Sequence, residues 1–435
     1  QGTRFGANAL AGMINITTAA PTTETEGYVR GKLGNYNSYG LGGALSGSLS
    51  NKLQGRIAVQ GFQSDGYMDN SFLNRDDTQN IDEQLVRAKL AWQPDALTDI
   101  GLTYLYANID NGYDAFTVDN SRTSKADEPG KDTQETHALA LNLQRRLNNA
   151  VTLETTLTGS RNDAVYSYDD DWVYIGFHPG EYSAFDKYSR SFNRQSADVR
   201  LVSGEQGRLF NQSTDWVMGA YFQKRDQELT RNYTDDPQYR NELKSESVSL
   251  YAEFSTVFNH STRLTYGLRA ENWKNDFSAT DGVRKNTDEI LVGGKITLEQ
   301  DLSLQHLGYV SLARGYKAGG VNTDPSISES NRLVKDETNY SVETGLKSTL
   351  LDNSLQTRLA VFYIDRRDQQ VKNSEPVLTS GGNTKFKDYL TNAAKGRNYG
   401  LELESNWQLS NRLRWELSYG YLNTEFVDYR YTNDD

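Results

Sequence analysis

The run Ser247-Val248-Ser249-Leu250-Tyr251-Ala252-Glu253-Phe254-Ser255-Thr256-Val257-Phe258 alternates with a period of two. Val248, Leu250, Ala252, Phe254, Thr256 and Phe258 share one face of an extended chain. Ser247, Ser249, Tyr251, Glu253, Ser255 and Val257 share the other. Successive side chains of a strand point to opposite faces, so this run reads as a strand with one apolar and one polar side. The same reading applies to Leu413–Tyr421, where Leu413, Trp415, Leu417, Tyr419 and Tyr421 oppose Arg414, Glu416, Ser418 and Gly420. Val86–Trp92, Val151–Leu157 and Tyr399–Trp407 repeat it. Helical periodicity is scarce.

Alternation fits a soluble sandwich and a membrane barrel equally, because either has one wet face. Three further features favour the barrel. The alternating runs extend over about 10–18 residues, against about 5–6 for an ordinary soluble strand. Their apolar faces begin or end in aromatic residues such as Trp92, Tyr104, Tyr106, Trp407, Trp415 and Tyr421, as at a membrane interface. Short connections (Ser50–Lys52, Leu147–Asn149, Asn259–Thr262, Asp352–Ser354, Ser410–Arg412) alternate with long polar ones (Asn111–Thr133, Asp169–Lys187, Gly319–Glu337, Glu375–Asn392). The expected fold is therefore all-β, a transmembrane antiparallel barrel of about 17 strands.

Composition agrees. In 435 residues only 36% are hydrophobic, too few for a thick soluble core but suited to strands that are apolar on one face. No window approaches the ~20 apolar residues of a membrane helix. The absence of Cys removes disulfides, thiolate metal sites and Cys nucleophiles. A net charge of −12 argues against nucleic acid as a partner. Neither a nucleophile–base pair nor a carboxylate pair in an apolar cleft is legible, so an enzyme is not expected. His137, His178, His260 and His306 lack metal-binding spacing, and neither a cofactor nor a metal is expected.

The first residues read differently. Gln1-Gly2-Thr3-Arg4-Phe5-Gly6-Ala7-Asn8-Ala9-Leu10-Ala11-Gly12-Met13-Ile14-Asn15-Ile16-Thr17-Thr18 is a Gly-punctuated loop running into an expected short strand. Gly2, Gly6 and Gly12 match neither a Walker loop nor a dinucleotide fingerprint, and suit tight turns. The stretch resembles the closing segment of the plug domain in TonB-dependent outer-membrane receptors. Gly34-Asn35-Tyr36-Asn37, Ser64–Asn70, Ala313-Arg314-Gly315-Tyr316-Lys317-Ala318-Gly319-Gly320-Val321-Asn322, Glu343–Ser348 and Asn392–Glu404 resemble segments of the same family, in order.

The resemblance implies a plug end at residues 1–22, with Gly2, Gly6, Gly12 and Asn15 structural, and a barrel over 23–435. Members usually have 22 strands, so the expectation is a fragment that starts near the end of the plug and stops about five strands early. It further implies active uptake of a scarce ligand across the bacterial outer membrane, most often a ferric siderophore, powered by the TonB–ExbB–ExbD complex. Cobalamin, haem or an oligosaccharide is the alternative cargo; a plugless porin or adhesin and a soluble secreted β-repeat protein are rival readings. A monomer surrounded by lipid and lipopolysaccharide is expected. The loop Tyr166–Arg194 holds the candidate ligand contacts Trp172, Tyr174, Phe177, His178, Arg190 and Arg194, since aromatic faces stack on ring ligands and Arg pairs with carboxylates. Tyr316, in the Arg-Gly-aromatic-Lys segment, joins them. Lumen-side charges such as Arg269, Glu271, Arg414 and Glu416 are expected to anchor the plug and keep the interior wet.

Overall fold

A computed structural model describes residues 3, 6, 10, 12–179, 183–234, 236–378 and 384–429. Among these residues, seventeen strands form one sheet. In chain order they are β1 (Glu26–Gly34), β2 (Ser38–Ser50), β3 (Leu53–Ser64), β4 (Ile81–Asp95), β5 (Thr98–Tyr113) and β6 (Gly130–Arg146). There follow β7 (Val151–Asp169), β8 (Phe185–Ser203), β9 (Thr214–Tyr233), β10 (Tyr239–Asn259), β11 (Thr262–Ala279) and β12 (Arg284–Ser303). The last are β13 (His306–Lys317), β14 (Glu337–Leu350), β15 (Leu355–Leu378), β16 (Thr384–Ser410) and β17 (Leu413–Tyr429). Each pairs antiparallel with its sequence neighbours, an up-and-down meander. Among the described residues, β1 pairs only with β2 and β17 only with β16.

Burial runs opposite to that of a soluble protein. On β10, Ser245, Ser247, Ser249 and Tyr251 are buried, while Val248 and Leu250 between them are exposed, Leu250 by 68%. The register carries this across the sheet: Ser249 faces Glu271, and Leu250 faces Ala270. Leu268, Ile290, Val310, Leu312, Val342, Leu359 and Val361 continue an exposed apolar band. Strands this long, apolar outward and polar inward, are stable when lipid covers the outside, because pairing satisfies their backbone and the apolar side never meets water. A sandwich would bury that face instead.

The band is edged by rings. Tyr104 donates its hydroxyl to His137 or accepts from it at 2.8 Å, Tyr106 lies 5.0 Å from the same imidazole, and Trp407 and Trp415 sit 6.5 Å apart. Among the described residues the longest connections, within 65–80, 114–129, 170–184 and 318–336, follow strands that run toward the same end. The expected loop Glu375–Asn392 is largely strand: pairing continues from Gln370↔Asn392 to Leu378↔Thr384. Its alternation is weak because this hairpin stands beyond the apolar band, where both faces are wet and no period-two pattern is needed.

Candidate functional site

At the long-loop end, alternate residues of β7 and β8 turn aromatic rings toward the interior. Tyr113 meets Tyr166 edge-on at 4.9 Å, and Tyr166 lies 5.5 Å from Tyr168 and 6.4 Å from Tyr188. The 170–184 loop adds to this wall. Trp172 stacks on Phe116 (5.2 Å, 13°), Tyr174 on Phe72 (4.5 Å, 9°), and Phe177 meets Tyr174 and His178 edge-on. The Lys125 ammonium stands 4.9 Å over the Phe177 ring. Trp172, Tyr174, Phe177 and His178 are thus gathered together, as the loop composition suggested. Phe72 and Phe116, which complete the stacks, come from two other loops and carry no signal in sequence.

Buried polar contacts hold the three loops in place. Asn70 donates to Asp114 and to the Ala126 carbonyl, both at 2.9 Å, and Ser124 donates to the other Asp114 oxygen. Trp172 adopts a left-handed backbone (φ 66), uncommon for a bulky residue, with its N–H donated to Asp169 Oδ1 at 3.1 Å. Asp169 lies at the loop end of β7, clear of the apolar band; burial first, then the Asp171 carboxyl beside it, raises its pKa above the ordinary carboxylate range. At the root of the loop, Arg231 holds Asp186 with two bonds (2.9 and 2.7 Å), and Tyr188 donates to the same carboxylate at 2.9 Å.

Arg190 and Arg194 lie below this wall on the lumen face of β8. The Arg190 guanidinium stands 4.9 Å over the Tyr188 ring, and Arg194 donates to Gln223 Oε1 at 2.7 Å. Tyr316 is elsewhere. It is 2% exposed, packs with Leu291, Ala318 and Trp273, and donates to Glu271 Oε2 at 2.7 Å. The cause is local: pairing of β12 with β13 ends at Gly294↔Arg314, and beyond it the chain bends inward. Gly293 makes room, since a Cβ there would lie 2.7 Å from the Tyr316 ring. Tyr316 therefore roots the 318–336 loop on the wall, apart from the aromatic cluster.

Several described residues near the start of the chain touch the lumen wall. Thr3 is buried, and Gly6 (φ 78) rests on Arg269, where a Cβ would stand 2.9 Å from Nη2. The Leu10 carbonyl accepts from Asn339 at 3.1 Å; Lys89 donates to the carbonyls of Thr18 (2.9 Å) and Ala19 (3.1 Å). Thr22 donates its N–H to Ser46 at 2.9 Å. Arg269 is held between the Tyr221 and Tyr251 rings and donates to Glu271 at 3.0 Å, while Ser247 also donates to Glu271. Gly6 needs its glycine. Gly12 does not: its φ is not positive, and a Cβ there meets nothing within 4 Å. The short strand expected at Asn15–Thr17 is not formed, because these exposed residues have no pairing partner among the described residues. Gly2 lies outside the described residues.

A lipid-facing band outside, a charged lumen inside and an extended segment seated on that lumen agree with one family. The family profile described as TonB dependent receptor-like, beta-barrel, matches residues 74–435. The chain belongs to the TonB-dependent receptors. Members of this family are outer-membrane β-barrel transport receptors, not enzymes, and the fold agrees. The pesticin receptors of Yersinia enterocolitica and Yersinia pestis are each 25% identical over 98% of the chain. The chain spans 62% of the length of either relative. Among solved structures, the ferric yersiniabactin uptake receptor FyuA of Yersinia pestis superimposes with a TM-score of 0.81 at 20% identity, over 98% of this chain and 65% of FyuA. The ferric-catecholate import receptor Fiu of Escherichia coli K12 gives 0.75 at 15% identity, over 99% and 69%. At such identities the receptor shares their fold.

Proposed function

We propose that this receptor takes up a ferric siderophore across the outer membrane, with energy delivered by the TonB–ExbB–ExbD complex. Residues 1–22 would be the end of the plug and 23–435 the barrel wall around it. The observation that carries the reading is the aromatic wall of the mouth, with Trp172, Tyr174, Phe177 and His178 beside Tyr166 and Tyr188, above Arg190 and Arg194. Flat rings offer stacking faces to a ring-bearing chelate, and guanidinium groups pair with its oxygens. The uptake of ferric yersiniabactin and ferric catecholates by the similar receptors supports the same cargo class. A deletion strain grown under iron limitation on a panel of ferric siderophores tests it. Growth should return with the gene and one siderophore, and only when TonB is present. Rescue by haem, cobalamin or an oligosaccharide instead, or rescue without TonB, would overturn the reading.

A further inference from the structure

Many cations of the lumen face are matched to anions. Arg200 meets Glu154 at 2.7 Å, Arg231 meets Asp186 at 2.7 Å, and Arg269 meets Glu271 at 3.0 Å. Arg366 is paired with Glu337, Arg358 with Glu404 and Arg414 with Glu416. Three neighbouring arginines of β8 and β9 depart from this pattern in a chain whose net charge is −12. Among the described residues, Arg190 touches the Tyr188 ring, and Arg194 the neutral Gln223, with no carboxylate on either. Arg225 makes no side-chain hydrogen bond or ion pair among the described residues, and its Nε is buried without an acceptor.

The register makes the arrangement costly. Arg194 and Arg225 are direct cross-strand partners, and like charges in that position repel. Their neighbours do not relieve it. The row continues to Ser160 on β7 and to Ser245 and Asn275 on β10 and β11, with no carboxylate in it. The row that carries Arg190 continues to Ala164 and Leu229. Packing of the Arg190 guanidinium on Tyr188 explains one of the three; it does not explain two arginines set opposite each other in a row without a carboxylate. A negatively charged group between them would turn the repulsion into two attractions.

We infer that Arg190, Arg194 and Arg225 form an anion-receiving face of the lumen, so that the solute of the proposed uptake is a polyanionic complex. Arg190 lies four residues from Arg194 along one strand, about 13 Å at the usual strand rise, so the face suits a large chelate with anionic groups spread over that span. The inference rests on the uptake reading and specifies the charge class of its cargo.

Binding by the detergent-purified receptor, as expressed from its own gene, tests it with two probes. One is the iron(III) complex of a tripodal tris-catecholate, a trianion; the other is the iron(III) complex of a matched tripodal tris-hydroxamate, which is neutral. The trianion should bind at least about tenfold more tightly. The double variant R194Q/R225Q should bring the two affinities within about threefold, and R194K/R225K should restore most of the difference. Folding of each variant is read from its heat-modifiable gel mobility. Equal binding of the two complexes, no binding of the trianion, or an unchanged ratio in a folded R194Q/R225Q overturns the inference. Failure of the uptake reading shows separately, as a deletion strain that no ferric siderophore rescues.

Discussion

Arg269 and Glu271 on β11, and Arg414 and Glu416 on β17, are the same device in sequence: Arg-x-Glu on the lumen side of a long strand. Their surroundings differ entirely. The first pair is 1% and 2% exposed, flanked by Tyr221 and Tyr251, bonded to Tyr316 and Ser247 and covered by Gly6. The second is 59% and 64% exposed at 2.7 Å. A buried pair loses its hydration and depends on its partner, whereas an exposed one is screened and replaceable. On β11 the motif seats the described start of the chain; on β17, which pairs only with β16 among the described residues, no other described residue covers it.

The largest expected effect breaks this comparison if it fails. Glu271→Gln leaves a buried Arg269 without its anion and should destabilise the detergent-folded receptor by about 3–5 kcal/mol. Glu416→Gln should cost about 0–1 kcal/mol. Equilibrium unfolding in urea measures both, and equal losses would mean that burial does not separate the two pairs.

Gly6→Ala comes next. It places a Cβ against the Arg269 guanidinium at a left-handed position, for a cost of about 1–2 kcal/mol, and should expose the first residues to protease. Gly12→Ala, with open space and no positive φ, should leave the digestion pattern unchanged.

Tyr316→Phe deletes one bond to Glu271 and should cost about 1–2 kcal/mol in the same unfolding measurement. Tyr419→Phe, on the exposed outer face of β17, should cost nothing measurable.

The smallest effect contrasts the loops with the wall. A carboxyl whose folded pKa is raised holds its proton more tightly when folded, so Asp169 contributes stability at low pH. That contribution is lost as pH rises from the ordinary carboxylate range through the raised folded value. Limited proteolysis within 170–179 should therefore accelerate as pH rises through that window, and Asp171→Asn, which removes the second cause but not burial, should reduce the dependence. A dependence of opposite sign would break the assignment.

Much of the wall is legible in the amino-acid order. Leu250, Leu417 and Trp415 announce an outward face and Arg269, Glu271 and Arg414 an inward one, because alternation is written residue by residue. The crowding of Trp172, Tyr174, Phe177 and His178 within one loop is equally visible. Phe72 and Phe116 are not, since stacking partners from other loops carry no mark of where they will fold. Tyr316 reads as part of the mouth but sits apart from it, because its inward bend depends on where β12 and β13 stop pairing. The hairpin around Leu378 and Thr384 reads as a loop because strands wet on both faces need no alternation.

Period-two patterning is local, so the chain alone settles that it makes long amphipathic strands joined by alternating short and long connections. Which charges those strands bury is not local. It follows from the register that sets Arg194 against Arg225, and from the segment that covers Arg269. Burial and unrelieved like charge are properties of neighbours brought from far along the chain, and only the folded wall decides them.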